Sequence, residues 1–106
     1  MGQLTIDFKR SPETLRFVLF GRIDATNANA FGDAVKSALI DSRDEDVVFD
    51  CTNLEYVSSM GLRVLLSLRK KWRGPVRLEN VSREVRGILD ITGFSQIVEV
   101  SGGNEQ

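Results

Sequence analysis

Two adjacent hydroxyls, Ser58 and Ser59, stand where their type and position could do chemistry. They follow an apolar, β-branched run that begins at Val47, and they precede a segment in which apolar residues recur every three to four positions. A serine at such a junction between a strand and a helix can cap the helix, because its side-chain oxygen accepts from unpaired backbone amides. From the residues alone, a cap or a small first-turn residue is the first interpretation of both serines.

The side chains of this sequence do not favour catalysis. The chain has no histidine, which is the commonest general base near neutral pH and the commonest metal ligand. Neither serine lies in a Gly-x-Ser-x-Gly motif, and there is no Walker-type glycine loop. Cys51 sits inside an apolar run and is predicted to be a buried, inert thiol, and Asp50 is expected to accept from loop amides. We therefore expect a protein that is not an enzyme and that holds no metal or cofactor.

The helix after the two serines is predicted to be amphipathic, with its N-terminus exposed. Gly61 would let the first turn approach its neighbours closely. Gly74 and Pro75 end the helix, because glycine tolerates the left-handed conformation common past a helix end and proline cannot continue it. The apolar face comprises Leu62, Leu65, Leu66, Leu68 and Trp72, and the polar face comprises Arg63, Ser67, Lys70 and Lys71.

The N-terminal half of the sequence predicts an antiparallel hairpin followed by a helix. Apolar and polar residues alternate over 3–9, and an apolar-rich run covers 15–23, with the turn Ser11-Pro12-Glu13 between them. So short a connection favours antiparallel pairing. Thr26 offers a cap for a helix whose apolar residues keep helical spacing and which ends near Asp41.

The C-terminal half alternates strands and helices. Strands are predicted from Val47 to Cys51, over 76–81 and over 94–100, and the helix between the last two is capped by Ser82 and closed by Gly93. Alternation of this kind favours parallel strands with right-handed crossovers. The predicted fold class is α/β, with a mixed sheet in the order β-β-α-β-α-β-α-β.

Length and composition indicate one folded domain. The chain has 106 residues, of which 42% are hydrophobic and 27% charged, and 14 basic side chains face 15 acidic ones. A balance so close to neutral indicates no nucleic-acid partner, and no apolar stretch is long enough to span a membrane. The N-terminus lacks the apolar core of a signal peptide, so we expect a cytoplasmic protein that is monomeric when free. The single domain covers 1–106, with a core of about 4–100 and a flexible tail over 101–106.

The central motif is similar to that of a known family. Asp50, Leu54 and Tyr56, followed by Val-Ser-Ser-Met-Gly-Leu-Arg-Val-Leu over 57–65, resemble the signature of STAS domains, specifically bacterial anti-sigma factor antagonists. Flanking motifs over 21–24 and 91–94 resemble those of the same family, and the resemblance covers about 4–100. Many members carry aspartate where this chain has Ser58 and a second Ser or Thr where it has Met60.

The resemblance implies a switch based on phosphorylation. The serine two residues before the glycine, Ser59, would be the phosphate acceptor, with Ser58 as the alternative. The unphosphorylated form would bind a serine/threonine kinase that doubles as an anti-sigma factor, and this binding would free the sigma factor. A metal-dependent serine phosphatase would reverse the modification. The kinase would hold ATP and magnesium, and this chain would hold neither.

The resemblance also implies a set of partner-binding residues. They are Asp24, Thr26, Asn27, Tyr56, Ser58, Ser59 and Met60. Asp24 could instead cap the first helix, and Met60 could be either a core residue or an exposed contact. A second function remains open at this stage, because small STAS proteins also occur as accessory subunits that dock to the ATPase of a lipid transporter.

Overall fold

The structure, a computed structural model, describes residues 3–103. The elements are β1 Leu4–Arg10, β2 Thr14–Ile23, α1 Ala28–Leu39, β3 Asp46–Val57, α2 Ser59–Lys71, β4 Val76–Glu79, α3 Arg83–Ile91, a 3₁₀ turn Phe94–Gln96 and β5 Glu99–Val100. This order confirms the predicted α/β succession. None of the helices within 3–103 is long and apolar enough to cross a membrane.

One mixed sheet carries the fold, with its strands in the order β1-β2-β3-β4-β5. The pair β1 and β2 is antiparallel, and every other pair is parallel. Leu15, Val47 and Val76 lie side by side in register, so their side chains point to the same face. Buried residues of α1, α2 and α3 pack against that face in one hydrophobic cluster. The helices therefore cover one side of the sheet.

Three phenylalanines form the centre of this core. The rings of Phe17 and Phe49, on adjacent strands, are 5.2 Å apart, and Phe31 of α1 lies 5.9 Å from Phe49. All three are at most 1% exposed. Aromatic burial of this kind fixes α1 against the middle of the sheet.

Ion pairs cover the helix-free face of the sheet. Val48 is fully buried there, between the register positions of Arg16 and Arg77. Arg16 pairs with Glu79 at 3.2 Å, and Arg77 pairs with Asp46 at 3.0 Å. Hydrogen bonding to Asp46, and then to Glu79, raises the pKa of Arg77. Because arginine stems can shield apolar surface, this network closes the side that the helices leave open.

Strand β3 is longer than predicted. It was expected to end at Cys51 before a polar connection, but it continues to Val57 because Phe20 to Ile23 of β2 pair with Asn53 to Val57. Two register shifts accommodate the polar stretch within this pairing.

The end of the chain also differs from the prediction. The strand predicted over 94–100 begins as a 3₁₀ turn, and only Glu99–Val100 pairs with β4. The tail predicted over 101–106 is hydrogen-bonded at its start, where Ser101 donates to Leu78 O at 2.9 Å and accepts from Val81 N at 3.0 Å. Residues 104–106 lie outside the described part of the chain.

The C-terminal end of α2 does not use the left-handed glycine that was predicted there. Trp72 leaves the helix in an extended conformation, and Gly74 has no left-handed backbone. Gly74 instead lies so close to the carbonyls of Asp44 and Glu45 that a Cβ would collide with them. Trp72, predicted on the apolar face of the helix, is half-buried against the core and donates from Nε1 to Glu45 O at 2.8 Å. Close packing of two chain segments therefore requires the glycine.

Candidate functional site at the junction of β3 and α2

Ser58 caps α2, as predicted. Its backbone is extended, with φ −84° and ψ 171°, and its Oγ accepts from Gly61 N at 3.2 Å. Its carbonyl accepts from Leu62 N at 2.9 Å, and its own N–H donates to Ile23 O at 2.8 Å. Ser58 therefore closes the helix N-terminus and ties it to the end of β2.

Gly61 seats the first turn of α2 directly on the sheet. A Cβ at this position would lie 2.6 Å from Cγ2 of Ile23 and 2.9 Å from Cγ2 of Val57. Both neighbours are at most 1% exposed, so neither has open space to move into. The predicted close approach is confirmed, and it determines the distance between the N-terminus of α2 and the sheet.

Ser59, the first residue of α2, is exposed, whereas Ser58 is half-buried. Met60 is 37% exposed, which places it on the surface rather than in the core. The amides of a helix N-terminus favour negative charge, so a hydroxyl at this position can carry a phosphoryl group without loss of the helix. The geometry thus presents one exposed serine side chain beside one capping serine.

Asp24 organises the loop between β2 and α1. Its Oδ1 accepts from the Thr26 hydroxyl at 2.6 Å, from Thr26 N at 2.9 Å and from Asn27 N at 3.3 Å. The Asn27 side chain accepts from Asp24 N at 2.9 Å and donates to Arg22 O at 3.0 Å. The hydrogen bond from the Thr26 hydroxyl is the main cause that lowers the pKa of Asp24, so this carboxylate is charged at neutral pH.

Thr26 does not cap α1, contrary to the prediction. The helix begins at Ala28, and Asn27 holds the cap position without a side-chain cap hydrogen bond. The Thr26 hydroxyl donates to Asp24 instead, and the Asp24 carbonyl accepts from Ala28 N at 3.0 Å. The alternative of Asp24 as the cap is also wrong, because its side chain accepts from Thr26 N and Asn27 N, which precede the helix.

Arg22 joins the site without having been predicted. Its guanidinium carbon lies 4.6 Å from the centre of the Tyr56 ring, and the two residues are register partners across β2 and β3. Arg22 was part of the motif over 21–24, but its pairing depends on the register shift next to it. The local signal for that shift is Gly21, since a glycine inside a strand often marks a bulge and this one has φ +108°.

The hydrogen bond between Ser58 N and Ile23 O joins the start of α2 to the end of β2, where the Asp24 loop begins. The residues predicted for the site therefore share the end of the sheet at which β2 and β3 terminate. We call this end of the sheet the junction face. It consists of Asp24, Thr26, Asn27, Ser58, Ser59 and Met60, with Arg22 and Tyr56 on the side of the sheet that the helices leave open.

Cys51 and Asp50 lie in the middle of β3, several residues before the end of the strand at the junction face. Cys51 is fully buried, as predicted, and burial, followed by the charges of Asp50 and Glu79, raises the pKa of its thiol to about 12. Burial alone would raise the pKa of Asp50, but hydrogen bonds from Thr52 and Asn80 and the charge of Arg16 lower it. Within 3–103, no three His, Cys, Asp or Glu side chains group as metal ligands would.

A family model described as the STAS domain matches residues 5–103. The chain belongs to the STAS domain family. This match spans every strand and helix of the fold apart from Leu4, the first residue of β1, and it includes the whole junction face.

Two relatives of this STAS domain are named for a regulatory role. A Bordetella bronchiseptica protein named as a candidate anti-sigma factor antagonist, BtrV, is 34% identical over 90 residues, which are 82% of this chain and 77% of that protein. The anti-sigma-B factor antagonist of Bacillus subtilis is 26% identical over 105 residues, which are 96% of this chain and 94% of that protein.

Solved structures have the same fold. An anti-sigma factor antagonist from Mycobacterium paratuberculosis aligns with a TM-score of 0.81 at 20% identity, over 92% of this chain and 85% of that one. The anti-sigma factor antagonist SpoIIAA in its unphosphorylated form aligns with a TM-score of 0.72 at 17% identity, over 92% of this chain and 88% of that one. At such identities the likeness establishes the STAS fold.

Proposed function

We propose that this STAS domain is an anti-sigma factor antagonist and that phosphorylation of Ser59 switches off its binding. The observation that carries the proposal is the exposure of Ser59 at the start of α2, beside the Asp24 loop. The names of the relatives support the regulatory class.

In the proposed cycle, the unphosphorylated junction face binds a serine/threonine kinase that is also an anti-sigma factor. Binding frees the sigma factor, and the kinase uses its own ATP and magnesium to modify Ser59. A metal-dependent serine phosphatase then restores the hydroxyl. Because sigma factors act with RNA polymerase, this cycle takes place in the cytoplasm.

The proposed switch acts on the surface rather than on the fold. Phosphate adds about −1.5 to −2 charges at neutral pH, and the N-terminus of α2 accommodates them. At the desolvated contact with the kinase, the same charge would have no cationic group to pair with. A loss of about 3 kcal/mol there reduces affinity more than a hundredfold.

Ser59 is a better acceptor than Ser58 on structural grounds. The Ser58 oxygen accepts from Gly61 N, and this side chain is half-buried. A kinase would have to turn that side chain away from the helix, which forfeits a cap worth about 1 kcal/mol. The Ser59 side chain is exposed on the junction face.

Phosphate transfer is the first test. Incubation with the cognate kinase, ATP and magnesium is expected to add one phosphate to the wild-type protein and to Ser58→Ala, but none to Ser59→Ala, as measured by intact-protein mass spectrometry. Peptide mapping then identifies the modified serine. A phosphorylated Ser59→Ala protein would assign the acceptor to Ser58.

Binding is the second test. Ser59→Asp is expected to weaken affinity for the kinase by at least about tenfold in calorimetric titration, because it places a charge at the contact. Ser37→Asp is the matched control, since Ser37 is an exposed serine of α1 away from the junction face. Equal affinity of Ser59→Asp and wild type would argue against a switch at this residue.

A further inference from the structure

A groove of about 460 Å³ lies between α1 and α2. Its floor is apolar and includes Val35, Val64, Leu68 and Trp72, all of which pack in or against the core. Gly32 also lines it, and a Cβ there would sit 3.3 Å from Cγ1 of Val64. The glycine therefore lets α1 approach Val64 of α2 closely at this point.

The groove has the length of a short helix. Both bordering helices follow parallel strands on the same face, so they run in the same direction, from Asn29 and Met60 at one end towards Ile40 and Lys71 at the other. At 1.5 Å per residue, each side is roughly 15 Å long, or about three helical turns. Exposed apolar side chains mark both ends, since Met60 is 37% exposed and Ile40 is 78% exposed.

The rim of the groove is basic. It carries three basic side chains, Lys36, Arg63 and Lys71, and one acidic side chain, Asp33. The chain as a whole, by contrast, has one more acidic than basic side chain. Among the ion pairs formed by described residues, none involves these three cations. An occupant with acidic flanks would match this rim.

We propose that the groove is the second part of the partner interface and that it takes an amphipathic helix with acidic flanks from the anti-sigma factor. This inference rests on the proposed function. Met60 belongs both to the groove and to the junction face, so a partner docked on Ser59 continues into the groove. Apolar residues of that helix at helical spacing would fill the floor, and its carboxylates would meet the cations of the rim.

Charge reversal on the rim tests the electrostatic part. Lys36→Glu combined with Lys71→Glu is expected to slow association of the purified cognate kinase about tenfold at low ionic strength, with a smaller effect in high salt. Arg69→Glu combined with Lys70→Glu is the matched control, because both residues are exposed on α2 and lie outside the groove. Circular dichroism checks that both variants fold.

A pair of exposed isoleucines tests the apolar part. Ile40→Ser, at the far end of the groove from Ser59, is expected to weaken kinase binding by about three- to tenfold. Ile91→Ser is the control, since Ile91 is 90% exposed on α3 and does not line the groove.

The outcomes separate the two proposals. If the wild-type protein neither binds the kinase nor receives phosphate, the proposed function fails, and the groove assignment fails with it. If it binds and is phosphorylated, but groove variants and controls bind alike, the groove assignment alone is overturned. A groove variant that changes self-association in sedimentation equilibrium, or that abolishes binding to anionic phospholipid vesicles, would assign the groove to another occupant and also overturn it.

Discussion

Replacing Gly61 with alanine is expected to destabilise the protein by roughly 1 kcal/mol, within a range of about 0 to 2.5 kcal/mol. The new Cβ would lie 2.6 Å from Cγ2 of Ile23 and 2.9 Å from Cγ2 of Val57, roughly 1 Å inside an ordinary carbon contact. Overpacking of this kind costs about 1 to 3 kcal/mol, because both neighbours are buried. The better helix propensity of alanine offsets about 0.5 to 1 kcal/mol of that cost.

Urea denaturation measures the difference, and Gly87 provides the control. Gly87 lies inside α3, and a Cβ there would meet no atom within 4 Å, so Gly87→Ala should stabilise the protein by up to about 1 kcal/mol. The two variants thus make the same chemical change with opposite expected signs. If Gly61→Ala stabilises the protein as much as Gly87→Ala does, α2 does not sit on the sheet as closely as described, and the explanation of the junction by close packing is wrong.

Three further predictions concern single side chains. Ser58→Ala should cost about 1 kcal/mol in urea denaturation, whereas Ser58→Asp should keep the stability because aspartate also caps helices; equal losses would contradict the cap. The pKa of Asp50 in the folded protein is lowered from its ordinary value of 3.8. The charged carboxylate therefore stabilises the fold above pH 3.8, and this stabilisation is lost as the pH falls through the folded-state pKa. Asp50→Asn should accordingly lose less free energy of unfolding between about pH 6 and pH 3 than wild type does. Cys51, with its pKa raised to about 12, should react with a thiol reagent at pH 8 only as fast as the protein opens, and rapid labelling of the native protein would refute its burial.

Two of the three predicted helix caps, Ser58 and Ser82, are confirmed because their chemistry is local, whereas the Thr26 cap is wrong because its hydroxyl donates to Asp24. Ser58 accepts from Gly61 N, and Ser82 accepts from Val85 N at 3.1 Å, each within three residues of chain. The periodicity of α2 likewise separated its buried Leu62 and Leu65 from its exposed Lys70. Residue types sufficed where no neighbouring side chain competed for the capping hydroxyl.

The length of β3 was not predictable, because it depends on pairing with a distant strand. The polar Thr52-Asn53 stretch is typical of a loop, yet β2 pairs with it through two register shifts. The shift beside Arg22 also decides that this residue faces Tyr56. Propensity is a weak guide here because tertiary pairing overrides it.

The groove was missed for a related reason. Gly32 and Val64 carry no functional pattern in sequence, and their significance arises only when α1 and α2 lie side by side. The helix faces were predicted one at a time, whereas a groove is a property of two faces together.

The rigidity of the Asp24 loop explains how the proposed switch could act without a conformational change. The Asp24 carboxylate is held by the hydroxyl and amide of Thr26 and by the amide of Asn27, so it cannot rotate away from a new negative charge on the same face without breaking those bonds. Ser58 and Gly61 likewise fix the start of α2 against the sheet. In the proposed cycle, a phosphate on Ser59 would therefore add its charge to that of Asp24 instead of being relieved by movement. The partner would then have to bury two fixed negative charges at one contact, which costs affinity while the fold keeps its own hydrogen bonds.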